Sequence, residues 1–181
     1  MTFKEILSAD KYKWKWTTKH PFLNLAQYRY VYVLRQCQRH TNKMNPMYYI
    51  WRLVHKHQET KYITGIPVCV KIGPGLYLGH LGNVFVHPNA VIGSNVNIYQ
   101  GVSIAHANRG KRKGCPTIGD RVWIGPNAVL SGNIHVGNNV LIAANAFVNF
   151  DVPDNSIVLG NPGQIIPSKD ACADYLPEQL V

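Results

Sequence analysis

Residues 116–148 read PTIGDRVWIGPNAVLSGNIHVGNNVLIAANAFV, and one column within them decides the fold. Counting by six, Ile118, Ile124, Leu130, Val136, Ile142 and Val148 are all aliphatic. The residue after each is usually small: Gly119, Gly125, Ser131, Gly137 and Ala143. Two residues before them runs a second apolar column of Val122, Ala128, Ile134, Val140 and Ala146. An amphipathic helix repeats its apolar positions every three or four residues, and so many glycines would weaken it. A six-residue period belongs instead to a parallel β-helix, in which each hexad supplies a short strand and a turn. The aliphatic column points inward and stacks on itself. The small residue sits at a corner, where a bulky side chain would collide with the next coil.

The same column extends towards the N-terminus. Val86, Ile92, Ile98 and Ile104 continue it, and after a two-residue slip so do Ile66, Ile72 and Leu78. Thirteen aliphatic positions in register predict a little over four triangular coils, because one coil alone cannot bury its inner face. Two interruptions break the register: His80–Asn83, and the longer His106–Pro116, which is basic and contains glycine. The longer one is expected to protrude into solvent. A solenoid offers little concave surface of its own, so its chemistry is expected on such insertions.

Ahead of Tyr62 the character changes. Residues 1–62 carry 12 Lys/Arg against 3 Asp/Glu, within a whole-chain formal charge of +10 over 181 residues. This part reads as helical, with one helix starting near Pro21 and carrying Leu23, Leu25, Tyr28, Val31, Tyr32 and Arg35. A second is expected from Pro46 to His57. Arginine and lysine beside Tyr and Trp allow a cap on the main domain or an interfacial segment against anionic lipid. No nucleic-acid reader motif accompanies the charge, so nucleic acid is not an expected partner. The four cysteines, Cys37, Cys69, Cys115 and Cys172, are far apart and lack a CxxC, which argues against zinc or a disulfide framework. They fit a reducing compartment. The first residues lack the apolar core of a signal peptide, and no apolar run approaches the ~20 residues of a membrane span. The expectation is a cytoplasmic protein, at most peripheral at the inner face of the membrane.

The stretches KIGPGLYLGHLGNVFVHPNAVIG (71–93), NVNIYQGVSIA (95–105), 116–148 and DVPDNSIVLGNPGQII (151–166) together resemble the hexapeptide acyltransferases, within them the serine acetyltransferase branch. The resemblance covers residues 63–166, leaving a helical segment 1–62 and a tail 167–181. It implies a mainly β fold, a left-handed parallel β-helix with a short α-helical N-terminal segment. It also implies a homotrimer and acetyl transfer from acetyl-CoA to a hydroxyl, with no metal. His80 matches the family's general base. An imidazole suits that role, since it can take the proton of an attacking hydroxyl and return it to the departing thiolate.

Four positions depart from the family pattern. Gly79 stands where an Asp orients the base, Gly65 where an Asp binds the amino acid, Gly114 where there is an Arg, and Cys115 where there is a second His. Free serine would then lack its ionic partners. The expected acceptor is therefore a sugar or polysaccharide precursor of the capsule type, with serine as the alternative. Asn83, His106 and Asn108 are candidates to hydrogen-bond it, His106 being the candidate second catalytic histidine, and Cys115 is a further candidate substrate-binding residue. For the coenzyme arm, Pro126 and Ala144 match the family positions that hold pantetheine amides, while Gly125 and Ala143 leave room. Trp123 would line the groove, and Lys169 or the loop 109–113 would meet a phosphate. A remote rival on the same fold, a metal-dependent hydratase, needs a close histidine pair that the spacing of His80, His87 and His106 does not offer.

Overall fold

The computed structural model describes residues 1–14, 20 and 25–176. Among the described residues three helices come first: α1 (Phe3–Tyr12), α2 (Ala26–Arg39) and α3 (Pro46–Tyr62). α1 was not expected. It starts at Thr2, whose hydroxyl accepts the Glu5 amide while the Glu5 carboxylate accepts the Thr2 amide, a capping box. α3 begins with Asn45 as N-cap and Pro46 in its first turn, and runs past the expected His57 to end at left-handed Ile63. The expected helix start at Pro21 and Leu23 falls outside the described residues, and the helix is seen from Ala26.

Fifteen short strands follow and wind into three sheets. The first holds β1 (Thr64–Gly65), β4 (Val84–Val86), β7 (Ser103–Ala105), β10 (Val129–Ser131) and β13 (Phe147–Val148). The second holds β2 (Lys71–Ile72), β5 (Val91–Ile92), β8 (Thr117–Ile118) and β11 (His135–Val136). The third holds β3 (Tyr77–Leu78), β6 (Asn97–Ile98), β9 (Val122–Ile124), β12 (Val140–Ile142), β14 (Ser156–Leu159) and β15 (Gln164–Pro167). All pairings are parallel except β14–β15. This is the parallel β-helix expected from the hexads.

The register follows the aliphatic column. Leu78 pairs with Ile98, Ile98 with Ile124, and Ile124 with Ile142. Twelve of its thirteen members are buried, and Ile72 is partly buried against the same core. The small column also behaves as expected, since a Cβ on Gly93 would lie 2.5 Å from the Gly119 carbonyl oxygen. The corner amides beside these glycines are satisfied from the next coil. Asp120 accepts from the Ser94 amide at 2.6 Å, Asn138 from Asp120 at 2.7 Å and Asp154 from Asn138 at 2.6 Å.

Both interruptions leave the register intact. The long one forms a small hairpin through an Ala107–Gly114 bridge. It does not simply protrude. Arg112 reaches Asp151 at 3.0 Å and its carbonyl accepts the Asn133 amide, so the loop is tied back to later coils, while Arg109, Lys111 and Lys113 stay exposed. The helices close the first coil. Asp10 and Arg35 form a buried ion pair at 2.8 Å. Asp10 also accepts the amides of Gly75 and Leu76, and Arg35 donates to the carbonyls of Ile72 and Gly73. Tyr30 bridges the Thr64 carbonyl and the Ile66 amide.

Asp10→Ala is expected to destabilise the protein by about 3–5 kcal/mol, because it leaves Arg35 buried and uncompensated. Urea unfolding would measure this, and an unchanged midpoint would refute the role given to the pair. His55 is buried, and burial, then Arg52 and Lys56, hold its imidazole down from 6.5 to about 4. Above the ordinary value both states are neutral and pH has no effect through this group. Between about 6.5 and 4 the unfolded chain binds a proton that the folded chain does not, so stability falls as pH falls. The wild type should therefore lose more stability than His55→Leu between neutral pH and pH 4, which urea titrations at both pH values would test.

Candidate active site

The expected site residues fall into two groups. The first runs along the outer side of the third sheet. His80 follows β3 and is exposed, with its ring edge-on to Tyr99 at 6.3 Å. Tyr99 lies 5.0 Å from Trp123, which lies 4.8 Å from Tyr175. Gly125 keeps the backbone close, since a Cβ there would meet the Ala144 nitrogen at 2.6 Å and the Trp123 ring at 2.7 Å. Ala144 is exposed. The Pro126 carbonyl already accepts the Asn145 amide at 2.9 Å, so an amide-bearing ligand would meet only its second lone pair. Residues Ser168–Leu176 lie over the same face. Ala171, Cys172 and Leu176 bury themselves against Leu141, with Trp123 and Ala143 beside them. The indole nitrogen of Trp123 is buried with no hydrogen-bond partner among the described residues. The Lys169 carbonyl accepts from the Asn139 side-chain amide at 2.8 Å.

The second group gathers where β4 and β7 end. His106 Nδ1 meets Asn108 Oδ1 at 3.0 Å. With the amide oxygen accepting, Nδ1 is the donor of this contact, which leaves Nε2 facing away from Asn108. His106 stacks on His87, with ring centres 5.1 Å apart. His87 Nδ1 lies 3.0 Å from Cys115 Sγ. His87, His106 and Asn108 border an open pocket of about 450 Å³ that Phe85, Pro88 and Ser103 also line. Burial raises the Cys115 thiol above its ordinary pKa. Among the described residues no cluster of His, Cys, Asp or Glu is arranged to hold a metal ion.

Asn83 joins neither group. It is exposed in a left-handed turn at φ 55°, with its amide bonded to the Ile63 carbonyl, so it shapes the slip around His80. Two residues were not anticipated, His87 and Tyr99. Both occupy the column of small residues, after Val86 and after Ile98, and that breach of the repeat was the available signal.

Three of the four departures have a steric reason. A Cβ at Gly79 would run into the Tyr99 ring, and one at Gly65 would lie 3.1 Å from Phe85. Two aromatic rings thus cover the positions where carboxylates were expected from the family pattern. Gly114 has φ 136°, a region that disfavours any side chain, and its Cβ would press on Asn133 at 2.9 Å.

The chain matches the family model for bacterial transferase hexapeptide repeats (six repeats) over residues 115–149. It is 34% identical over 161 residues to the serine acetyltransferase of Helicobacter pylori (strain ATCC 700392 / 26695), covering 87% of this chain and 88% of that protein. It is 40% identical over 111 residues to the serine acetyltransferase of Staphylococcus aureus (strain Mu50 / ATCC 700699), covering 60% of this chain and 52% of that one. The structure of Neisseria gonorrhoeae serine acetyltransferase in complex with serine superposes with a TM-score of 0.75 at 26% identity, over 91% of this chain and 69% of that chain. Serine acetyltransferase from Brucella abortus strain S19 superposes with a TM-score of 0.77 at 26% identity, over 92% of this chain and 69% of that one.

Gly79→Asp is expected to destabilise the chain by roughly 1–3 kcal/mol, since the Tyr99 ring must move. Adding Tyr99→Ser should recover most of the loss. Thermal melts of the single and double variants would decide, and equal melts for both would mean that the ring does not fill that space.

Proposed function

The chain belongs to the serine acetyltransferase family of hexapeptide-repeat transferases, and we propose that it acetylates a hydroxyl of a small acceptor, L-serine being the first reading. It is an acyltransferase that uses acetyl-CoA as donor. What supports serine is the likeness to serine acetyltransferases along nearly the whole chain.

In this reading the acceptor hydroxyl gives its proton to a histidine as it attacks the thioester carbonyl. The same histidine then protonates the departing thiolate. His80 is the base by its match to the family position. His106 is the second candidate, because Asn108 orients its ring through Nδ1 at the edge of the open pocket. The coenzyme arm would lie along Trp123, Gly125, Ala143 and Ala144. The buried, unpartnered indole nitrogen of Trp123 is the observation that suits an amide-bearing ligand there. That placement requires the segment over Trp123 to move or to share the groove.

A second reading, a neutral hydroxyl acceptor such as a sugar, is favoured by one observation. The pocket lining holds no carboxylate and no Lys or Arg, and rings cover Gly65 and Gly79. An ammonium and a carboxylate brought there would go unpaired within this chain. The open pocket, rimmed by half-exposed Phe85, also suits completion by further copies of the chain, and we propose a homotrimer on that ground. The exposed apolar residues Tyr49, Ile50, Leu53 and Val54 of α3, beside Arg52 and Lys56, suit a peripheral lipid contact. No helix among the described residues is long and apolar enough to cross a membrane.

Coenzyme-A thiol release, measured with L-serine and then with a panel of sugars, tests both acceptors. His80→Ala is expected to reduce turnover by about 10²–10⁴-fold. Turnover with serine alone would discard the sugar reading, and turnover with a sugar alone would discard serine. Activity that survives His80→Ala but not His106→Ala would move the base to His106.

A further inference from the structure

At the first coil a cavity is lined by cations, three of which have no carboxylate beside them among the described residues. We propose that this cavity, between the N-terminal helices and the first turn of the solenoid, binds a small organic anion: a carboxylate or phosphate carried on an apolar body. The site stands apart from acetyl transfer and requires neither a given acceptor nor a given base.

The cavity is open and holds about 880 Å³, a volume suited to a small molecule. Four separate parts of the chain build it. Phe3 and Ile6 come from α1, Arg39 from α2, Arg52 from α3, and residues 67–72 from the turn leading into β2 and from β2 itself. It shares no lining residue with the pocket at His87 and His106, and neither His80 nor Trp123 borders it.

Its charge is uncompensated. The lining contains no Asp or Glu. Arg35 also borders the cavity, but Asp10 neutralises it at 2.8 Å, and the carbonyls of Ile72 and Gly73 occupy its other donors. Arg39, Arg52 and Lys71 lack such a partner: among the described residues none lies within 4.0 Å of a carboxylate oxygen. Glu59, on the helix of Arg52, is taken by Lys56 at 3.7 Å. Like charges around one space repel, and an anion between them removes that cost.

The two guanidinium groups are held by rings. Arg39 Cζ lies 4.8 Å from the centre of the Phe3 ring, and Arg52 Cζ lies 4.6 Å from that of Tyr48. Arg52 Nε is buried with no hydrogen-bond partner among the described residues, a donor that a ligand oxygen can satisfy. The planar fork of a guanidinium matches the oxygens of a carboxylate or a phosphate. Phe3, Ile6, Val68 and Ile72 offer the rest of the ligand an apolar wall.

Cys69 lines the same cavity and is exposed, which makes it a reporter. The full chain is treated with N-ethylmaleimide in the presence of phenyl phosphate, benzoate, inorganic phosphate or neutral benzyl alcohol, and the labelling rate of each cysteine is read by peptide mass spectrometry. Phenyl phosphate or benzoate is expected to slow Cys69, by about tenfold at about ten times the concentration that halves its rate, and to leave Cys115 unchanged. Whichever anion acts at the lower concentration identifies the head group. Arg39→Gln combined with Arg52→Gln should raise the concentration needed by about 10–100-fold. Lys71→Gln, at an exposed side chain, should raise it by about two- to fivefold and decides the matter if the melting temperature shows the double variant unfolded. Absence of protection, or protection undiminished in the folded variants, overturns the proposal. So does equal protection by benzyl alcohol, which would make the cavity merely apolar, or by inorganic phosphate, which has no apolar body. Slowing of Cys115 to the same extent as Cys69 likewise overturns it.

Discussion

Hydrogen bonds from each coil to the next are the constraint on which the rest of the molecule depends. They form only if successive coils share a register, and the stacked aliphatic column sets it. Val86 lies against Ile104, Ile104 against Leu130 and Leu130 against Val148. The pairing from Ile104 to Leu130 survives the long insertion between them, because the inserted residues are pushed out of the coil and not absorbed into it. The residues freed from the repeat are then available for chemistry. His80 leaves the coil at the first insertion and His106 at the second.

The same requirement makes the ends of the solenoid a problem. The first coil has an edge of amides and carbonyls with no earlier coil to bond them, and an open edge invites pairing with another chain. Asp10 and Arg35 answer it with side chains, satisfying two amides and two carbonyls from one buried pair. At the other end β15 turns back antiparallel on β14, and the following segment buries Ala171, Cys172 and Leu176 on the third sheet. Charge closes one end and apolar burial the other.

The solenoid was legible in the sequence because every coil repeats the same local demands. An aliphatic residue faces in, and a small one follows at the corner. The N-terminal part was less legible. Tyr and Trp on most faces blurred the period of α2 and α3, and α1 was signalled only by its Thr2–Glu5 cap. Of the site, His106 and Asn108 could be read together, because a single residue separates them on one loop. The His87–Cys115 contact could not, since it joins a strand end to the far side of an insertion. The rings over Gly65 and Gly79 were equally hidden: each glycine looks like an ordinary corner residue until the neighbouring coil is placed beside it. The segment covering Trp123 carries no repeat, so nothing in its pattern announced where it docks.

The helices that close the first coil also precede the solenoid along the chain. Asp10 and Arg35 are synthesised before the backbone groups they satisfy, and they find their partners only when residues 72–76 emerge. From then on each new coil meets a finished template, as a layer meets the face of a growing crystal. A chain halted midway would expose a single growing edge, at its C-terminal end.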